Sequence, residues 1–418
     1  MQRRLLPVFA CLMLVAAACT ADDGDGGGAT GGAAASDGGG DGGMEIDEDA
    51  VSGTVRFSGW QSSPAEEELL SETIAAFEEQ YPNITVDYES IPTNYIQVMT
   101  GQFSAGEPPD LFYVQAEFSD AWMEDGLLEP LDPYIQGNDF DTGPFYDQLL
   151  SVFQLDGVTY GLPKDAGPLA LFYNTDMLDA AGVEPPTSWD ELRSAAEALT
   201  TGEVAGLCVG PELPRVGAFI YQAGGGIYNE DGTELTITSP ESVEGIDFYL
   251  ELHEAGVLQT PAELGAGWCG EAFGNQAAAM TMEGTWLFPP LENDFPDTPF
   301  DVVELPEGAQ QGNLSFTNAY GIGVDSQNKE AAWVLLQYLA GPEGMEKWTS
   351  LGLALPARED VPAPPDREAH VAGLGYGTAY AFGRNFPDIQ AAFNNELTRV
   401  LDEGGTGQEI ADAAAAAE

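Results

Sequence analysis

Positive charge is what this sequence has least of. Twelve Lys and Arg stand against 70 Asp and Glu in 418 residues, a formal net charge of −58. Such a surface repels phosphate backbones and anionic membrane faces, which excludes nucleic acid and lipid headgroups as partners. Histidine is scarcer still, with only His253 and His370. Neither a Ser-His-Asp triad nor a histidine-rich zinc site is easily assembled from two histidines, and no G-x-S-x-G occurs. The acids are spread along the whole chain, which suits solubility in a salty or acidic setting where screening quiets self-repulsion. A chain full of calcium sites is the sharper alternative, and no loop of EF-hand spacing supports it. A glycosidase needs two carboxylates flanking a bond, but among so many acids any such pair can be drawn and the drawing carries no information.

Long apolar runs are also missing near the start. Arg3 and Arg4 precede Leu5–Ala18, too short for a membrane-spanning helix but suited to a signal peptide over residues 1–18. The run ends Val15-Ala16-Ala17-Ala18-Cys19. Small residues before a cysteine resemble the bacterial lipoprotein cleavage box, in which Cys19 becomes the lipidated first residue. Ala16 stands where Leu is usual, which leaves cleavage by the ordinary signal peptidase after Ala18 open. Residues 19–50 are rich in Gly, Ala and Asp and read as a flexible acidic tether. Of four cysteines, Cys11 leaves with the signal and Cys19 carries the lipid. Cys208 and Cys269 remain, as a disulfide or as two buried thiols.

What is present points to two domains, since 418 residues exceed what one core usually supports. Thr54–Ser58 alternates as a strand, Pro64 opens a helix with Glu66–Glu68 in its first turn, and Ile84–Glu89, Ile96–Phe103 and Leu111–Val114 continue the alternation. Strand and helix in turn argue an α/β sheet, with ligands at the carboxyl ends of the strands. That rule selects Trp60–Ser62 and Gln115–Glu117. Val158–Asn174 follows a hairpin signal at Asp156-Gly157. Its Gly161, Pro163, Gly167 and Pro168 leave Lys164 and Asp165 on an irregular crossing between lobes. Further crossings fit Pro306–Asn313 and Gly352–Pro356. Helices are expected over Trp189–Leu199, Ser239–Ala255, Lys329–Ala340 and Phe386–Glu403, and a small-residue strand over Ala277–Glu283.

The ordered blocks YPNITV, PPDLFYV, EDGLLEPLDPYI, VTYGLPKD, LFYNTDML, PPTSWDEL, FGNQAAAMTMEGTW and NAYGIGVDSQNKEAAWVLLQYL resemble the extracellular solute-binding proteins of family 1, the sugar-binding receptors of ABC importers. The resemblance implies an α/β, two-lobed periplasmic-binding-protein clamshell with three crossing strands. One lobe would comprise 51–163 and 313–350, the other 164–312 and 351–418. It further implies a carbohydrate ligand, ABC permease subunits as partners, a monomer outside the cytoplasm held to the membrane only by its anchor, and no catalytic residue, cofactor or metal.

A sugar offers C–H faces and a rim of hydroxyls, so it calls for flat aromatics beside carboxylates and amides. Trp286, after Glu283-Gly284-Thr285, matches the family's stacking aromatic, and Glu117 and Asp165 match its hydroxyl-binding acids. The competing readings are a core Trp, a solvated surface acid and a turn cap. Trp60 and Ser62 follow from the strand-end rule, and Tyr228, Trp268, Tyr320 and Arg358 are further ligand candidates. Tyr376, Tyr380 and Arg384 lie in an aromatic stretch where related receptors supply a cleft residue. Another polar solute (a polyol, glycerophosphodiester or polyamine) is the alternative ligand, and an extracellular carbohydrate-active enzyme the alternative class.

Overall fold

The computed structural model describes residues 43–60, 64–229, 232 and 234–418. The expected signal segment, Cys19 and Ser62 lie outside the described residues. In the first lobe, β1 (Gly53–Gly59) buries Val55 and Phe57 while Arg56 faces outward, the period-2 pattern of a half-covered strand. It pairs in parallel with β2 (Ile84–Ser90) and with β3 (Leu111–Gln115), whose first four residues are all buried. A strand covered on both faces reads as a continuous apolar run, as LFYV does here. α1 (Pro64–Gln80) starts on proline, carries Glu66 and Glu67 in its first turn, and buries Leu69, Leu70, Ile74 and Phe77. The sheet is completed by β12 (Asn318–Ile322), antiparallel to β3, and β4 (Gly161–Pro163), antiparallel to β12.

After β4 the chain passes through β5 (Gly167–Pro168) into β6 (Ala170–Asn174) of the second lobe. There β6 lies between β9 (Met280–Glu283) and β10 (Phe300–Val303), antiparallel to both. The short β7 (Leu207–Cys208) and β8 (Leu258–Gln259) extend this sheet beyond β9. The helix Pro240–Glu254 begins where Ser239 accepts a hydrogen bond from the Ser242 amide, the cap expected of that residue type. The tail helix spans Phe386–Glu403, as its apolar spacing predicts. Between the lobes, β11 (Asn313–Phe316) pairs with β5 and with β13 (Gly377–Ala379).

The three crossings run side by side at the waist. The Lys164 amide donates to the Asn318 carbonyl at 2.8 Å, and Ala166 and Leu355 exchange two hydrogen bonds of 2.8 Å. Each lobe has its own apolar core, and the crossing segments contribute to both. Leu314 packs in the second core, while Leu355, Ala357, Val361 and Leu374 pack in the first. Segments paired with one another at a waist present side chains to both sides. The tether also ends earlier than residue 50. Met44 donates to the Pro133 carbonyl at 2.7 Å, the Ile46 amide donates to Asn138 Oδ1 at 3.0 Å, and Ile46 is buried in the first core.

Cys208 and Cys269 form a disulfide, joining β7 to the helix Cys269–Gly274 across 61 residues. Closing a loop of that length stabilises by about 4 kcal/mol in the chain-entropy view. Among the described residues no helix is long and apolar enough to cross a membrane.

Helix α3 follows α2 (Tyr95–Ala105) and β3, and spans Ala116–Glu124. Its Glu117, Asp120 and Glu124 recur at i, i+3 and i+7 and so share one face. Across from it, Tyr380, Phe382 and Phe386 pack in the second core. Between them Gly383, at φ +75° in the left-handed region suited to glycine, aims its amide at Asp120. Arg384 Nη1 lies 2.9 Å from Asp125 and 3.2 Å from Glu124. These contacts tie the lobes together at the mouth of the cleft. Arg384→Glu is expected to increase the radius of gyration of the ligand-free protein in small-angle scattering with little change in melting temperature, and Glu124→Lys/Asp125→Lys on that background to reverse the increase. An unchanged radius in the single variant would show that this latch does not hold the mouth.

Candidate functional site

Two adjoining cavities, of about 170 and 290 Å³, open between the lobes and share Trp60, Trp286, Phe316 and Asn318 as walls. Trp60 stands directly after β1, and Glu117 two residues after β3, so the carboxyl ends of parallel strands deliver both. The Trp60 ring meets Tyr95 and Tyr113 edge-on, each with centroids 4.9 Å apart, which fixes its plane. Trp286 comes from the turn Thr285–Leu287 after β9. Thr285 Oγ1 donates to the Leu353 carbonyl at 2.8 Å and ties that turn to the third crossing. A Cβ on Gly284 would stand 2.2 Å from the Trp286 ring, so glycine is required for the ring to fold back over its own turn.

The smaller cavity is walled by Glu66, Lys164, Asp165 and Trp348. Lys164 is 3% exposed, ion-paired with Asp165, and its ammonium lies 4.2 Å from the Trp348 ring centroid and 4.7 Å from that of Tyr113. Two aromatic faces and a carboxylate offset the loss of water around a buried ammonium. Asp165 also accepts from the Asn318 amide at 3.1 Å, and its carbonyl accepts from Thr317 Oγ1 at 2.8 Å. The acid therefore both faces the cleft and staples two crossings.

The larger cavity adds Gln115, Glu117, Arg215 and Tyr380. Arg215 Nη2 donates to Glu283 Oε2 at 2.7 Å, and the Trp286 indole donates to the same oxygen at 2.9 Å. Burial works against the Arg215 charge, but Glu283 and Glu212 outweigh it and hold the guanidinium above its usual pKa. Tyr380 donates to Gln390 at 2.6 Å. Burial pushes the Glu117 carboxyl above the usual range, against a smaller opposing contribution from its own amide. Both cations of the cleft are thus matched by carboxylates of the protein.

Of the residues expected at a ligand, Trp60, Glu117, Asp165 and Trp286 come together here. Four others stand elsewhere. Tyr320 is fully buried behind Tyr113, its ring 5.6 Å from that ring and 6.1 Å from Phe57. Arg358 is 3% exposed, forks onto Asp360 with two 2.8 Å hydrogen bonds and stacks on Phe145 at 4.8 Å. Trp268 packs with Phe273 and Leu287 over Gly270, where a Cβ would lie 2.2 Å from the ring. Tyr228 stacks on Phe382 at 6.2 Å. Arg215, Glu66, Phe316, Asn318 and Trp348 carried no signal as ligand candidates, because tertiary folding alone brings them to the cleft. Among the described residues no group of three or more His, Cys, Asp or Glu is placed to hold a metal.

The pattern of bacterial extracellular solute-binding proteins matches residues 72–373. The chain belongs to that family. A maltotriose-binding protein of Pyrococcus abyssi is 26% identical to this solute-binding protein over 350 residues, 79% of this chain and 73% of that one. The ABC substrate-binding protein of Listeria monocytogenes, solved with cycloalternan, superposes with a TM-score of 0.79 at 30% identity, covering 87% of this chain and 97% of that one. The UgpB protein of Mycobacterium tuberculosis, solved with glycerophosphocholine, superposes at 0.77 with 18% identity, covering 87% and 97%. Its likeness is one of fold. The family places the protein outside the cytoplasm, working with ABC transporter permeases. The two-lobed clamshell is shown by these neighbours and by the two sheets joined at the waist.

The raised pKa of Glu117 has a sign that can be measured. The folded protein binds this proton more tightly than the unfolded chain does, so the contribution is full at low pH and is lost as pH rises through the raised value. Glu117→Gln is expected to raise the ligand-free melting temperature near pH 7–8, and the two proteins to converge near about pH 4. An equal difference at both pH values would show that Glu117 titrates as an ordinary surface acid.

Proposed function

We propose that this protein is the lipid-anchored, monomeric receptor of an ABC importer, and that it captures a neutral saccharide between its lobes without transforming it. The observation that carries the ligand class is the balance of the cleft. Trp60 and Trp286 wall both cavities, Glu117 and Asp165 stand beside them, and the two cleft cations are already paired, Lys164 with Asp165 and Arg215 with Glu283. Flat rings suit the apolar faces of a sugar, and carboxylates suit its hydroxyls. An anionic ligand would compete with internal carboxylates for both cations, and leaving either partner buried and unpaired is costly. The sugar ligands of the Pyrococcus and Listeria relatives agree with this reading. Lipidation of Cys19 and the lobe limits near 163, 313 and 350 belong to the same proposal.

A thermal-shift screen tests the ligand class, with maltotriose, cyclic and linear glucans and arabino-oligosaccharides set beside glycerophosphocholine and spermidine. A saccharide present at 100 times its Kd is expected to stabilise by about 2.7 kcal/mol, and to be recovered unchanged. Stabilisation by glycerophosphocholine or spermidine and by no saccharide would replace the ligand class, and recovery of a cleaved product would replace the receptor by an enzyme.

Trp286→Ala tests the stacking role. Loss of one stacked ring is worth roughly 1–3 kcal/mol, and each 1.4 kcal/mol is about tenfold in affinity. Affinity is therefore expected to fall roughly tenfold to a hundredfold while ligand-free stability falls little. Collapse of ligand-free stability with Kd unchanged would make Trp286 a core residue.

A further inference from the structure

Glu283 ends β9 with its side chain 4% exposed, and one of its oxygens accepts from two donors, Arg215 Nη2 at 2.7 Å and Trp286 Nε1 at 2.9 Å. The Arg215 guanidinium carbon lies over the Trp286 ring, 5.3 Å from its centroid, and 5.8 Å from that of Phe316. Phe316 meets the indole edge-on at 75°. Gly167 and Gly284 approach the same ring, at distances where a Cβ would stand 3.0 and 2.2 Å from it. The indole is therefore gripped at its N–H edge, at its benzene edge and on one face, yet it remains partly exposed and walls both cavities.

We infer that Glu283 and Arg215 are positioning residues that mount the Trp286 ring and leave a single face of it to the ligand. The inference rests on the saccharide reading of the cleft. Its physical basis is preorganisation: a ring already fixed in plane loses little freedom when a sugar stacks on it. A lone indole on a three-residue turn would lose more. The guanidinium covers one face through the attraction of a cation for the aromatic quadrupole, and Glu283 keeps that cation in place through a charge-assisted hydrogen bond. A ligand ring then approaches from one side only, so the mount also sets the orientation in which the saccharide enters.

The test uses the full chain and two readouts. Acrylamide quenching and anisotropy of Trp286 emission are taken without ligand, as the difference between each protein and its Trp286→Phe counterpart. Calorimetric titration with maltotriose supplies the affinity. Glu283→Gln keeps an oxygen acceptor but takes away the charge that holds Arg215, and is expected to raise Trp286 quenching and weaken maltotriose binding severalfold. Arg215→Met with Glu283→Met removes both partners without stranding a buried charge, and is expected to raise Trp286 quenching severalfold, lower its anisotropy and weaken maltotriose binding tenfold or more. Arg215→Lys, which keeps the charge but cannot lay a plane on the ring, is expected to fall between and serves if the double variant does not fold. Unchanged quenching and anisotropy in the double variant or in Arg215→Lys would overturn the mount. Looser fluorescence with maltotriose affinity intact would overturn its role in binding. A parent protein that takes up no saccharide would defeat the saccharide reading separately, and the fluorescence would then decide the mount alone.

Discussion

Every contact a ligand could make with both lobes at once depends on a few backbone hydrogen bonds at the waist. The Lys164 amide reaches the Asn318 carbonyl, Ala166 and Leu355 exchange a pair, and Asp165 accepts from the Asn318 amide and, through its carbonyl, from Thr317. These bonds align three crossing segments whose side chains serve both cores. If they slipped by one residue, Asp165 and Phe316 would turn away from the cleft, since alternate residues of an extended chain face opposite sides. The irregular sequence between Pro163 and Pro168 is therefore a junction whose register sets the site.

Charge in the cleft is arranged against the grain of the molecule. Acids outnumber bases almost sixfold over the chain, yet two of the twelve Lys and Arg, Lys164 and Arg215, are spent inside. Each is matched by a carboxylate and lies over an aromatic ring. An unpaired acid in this setting would resist ionisation, which is what burial does to Glu117. The two cations of the cleft are thus neutralised within the protein.

Much of this was legible in the residues. The parallel strands could be read from alternation and apolar runs, and their carboxyl ends led to Trp60 and Glu117. The punctuation by glycine and proline marked the crossing that carries Asp165, and Trp286 stood in a block that resembles the family. What could not be read depends on pairing across long separations. Tyr320 lies on the same strand as the cleft residue Asn318, but its partner in register is Tyr113, which places it deeper in the sheet. Arg358 finds its acid two residues along the chain, at Asp360, and so is used up locally. Arg215 reaches the cleft only because the helix Leu213–Gln222 aims its first turn at Glu283, 68 residues away in sequence. Glu283 reads as the end of a small-residue strand three residues before Trp286, and only its two donors reveal more.

The latch at the mouth, Arg384 against Glu124 and Asp125, sits on a molecule whose two halves both carry excess negative charge. Dissolved ions weaken the latch and weaken the mutual repulsion of the halves, and these two effects move the clamshell in opposite directions.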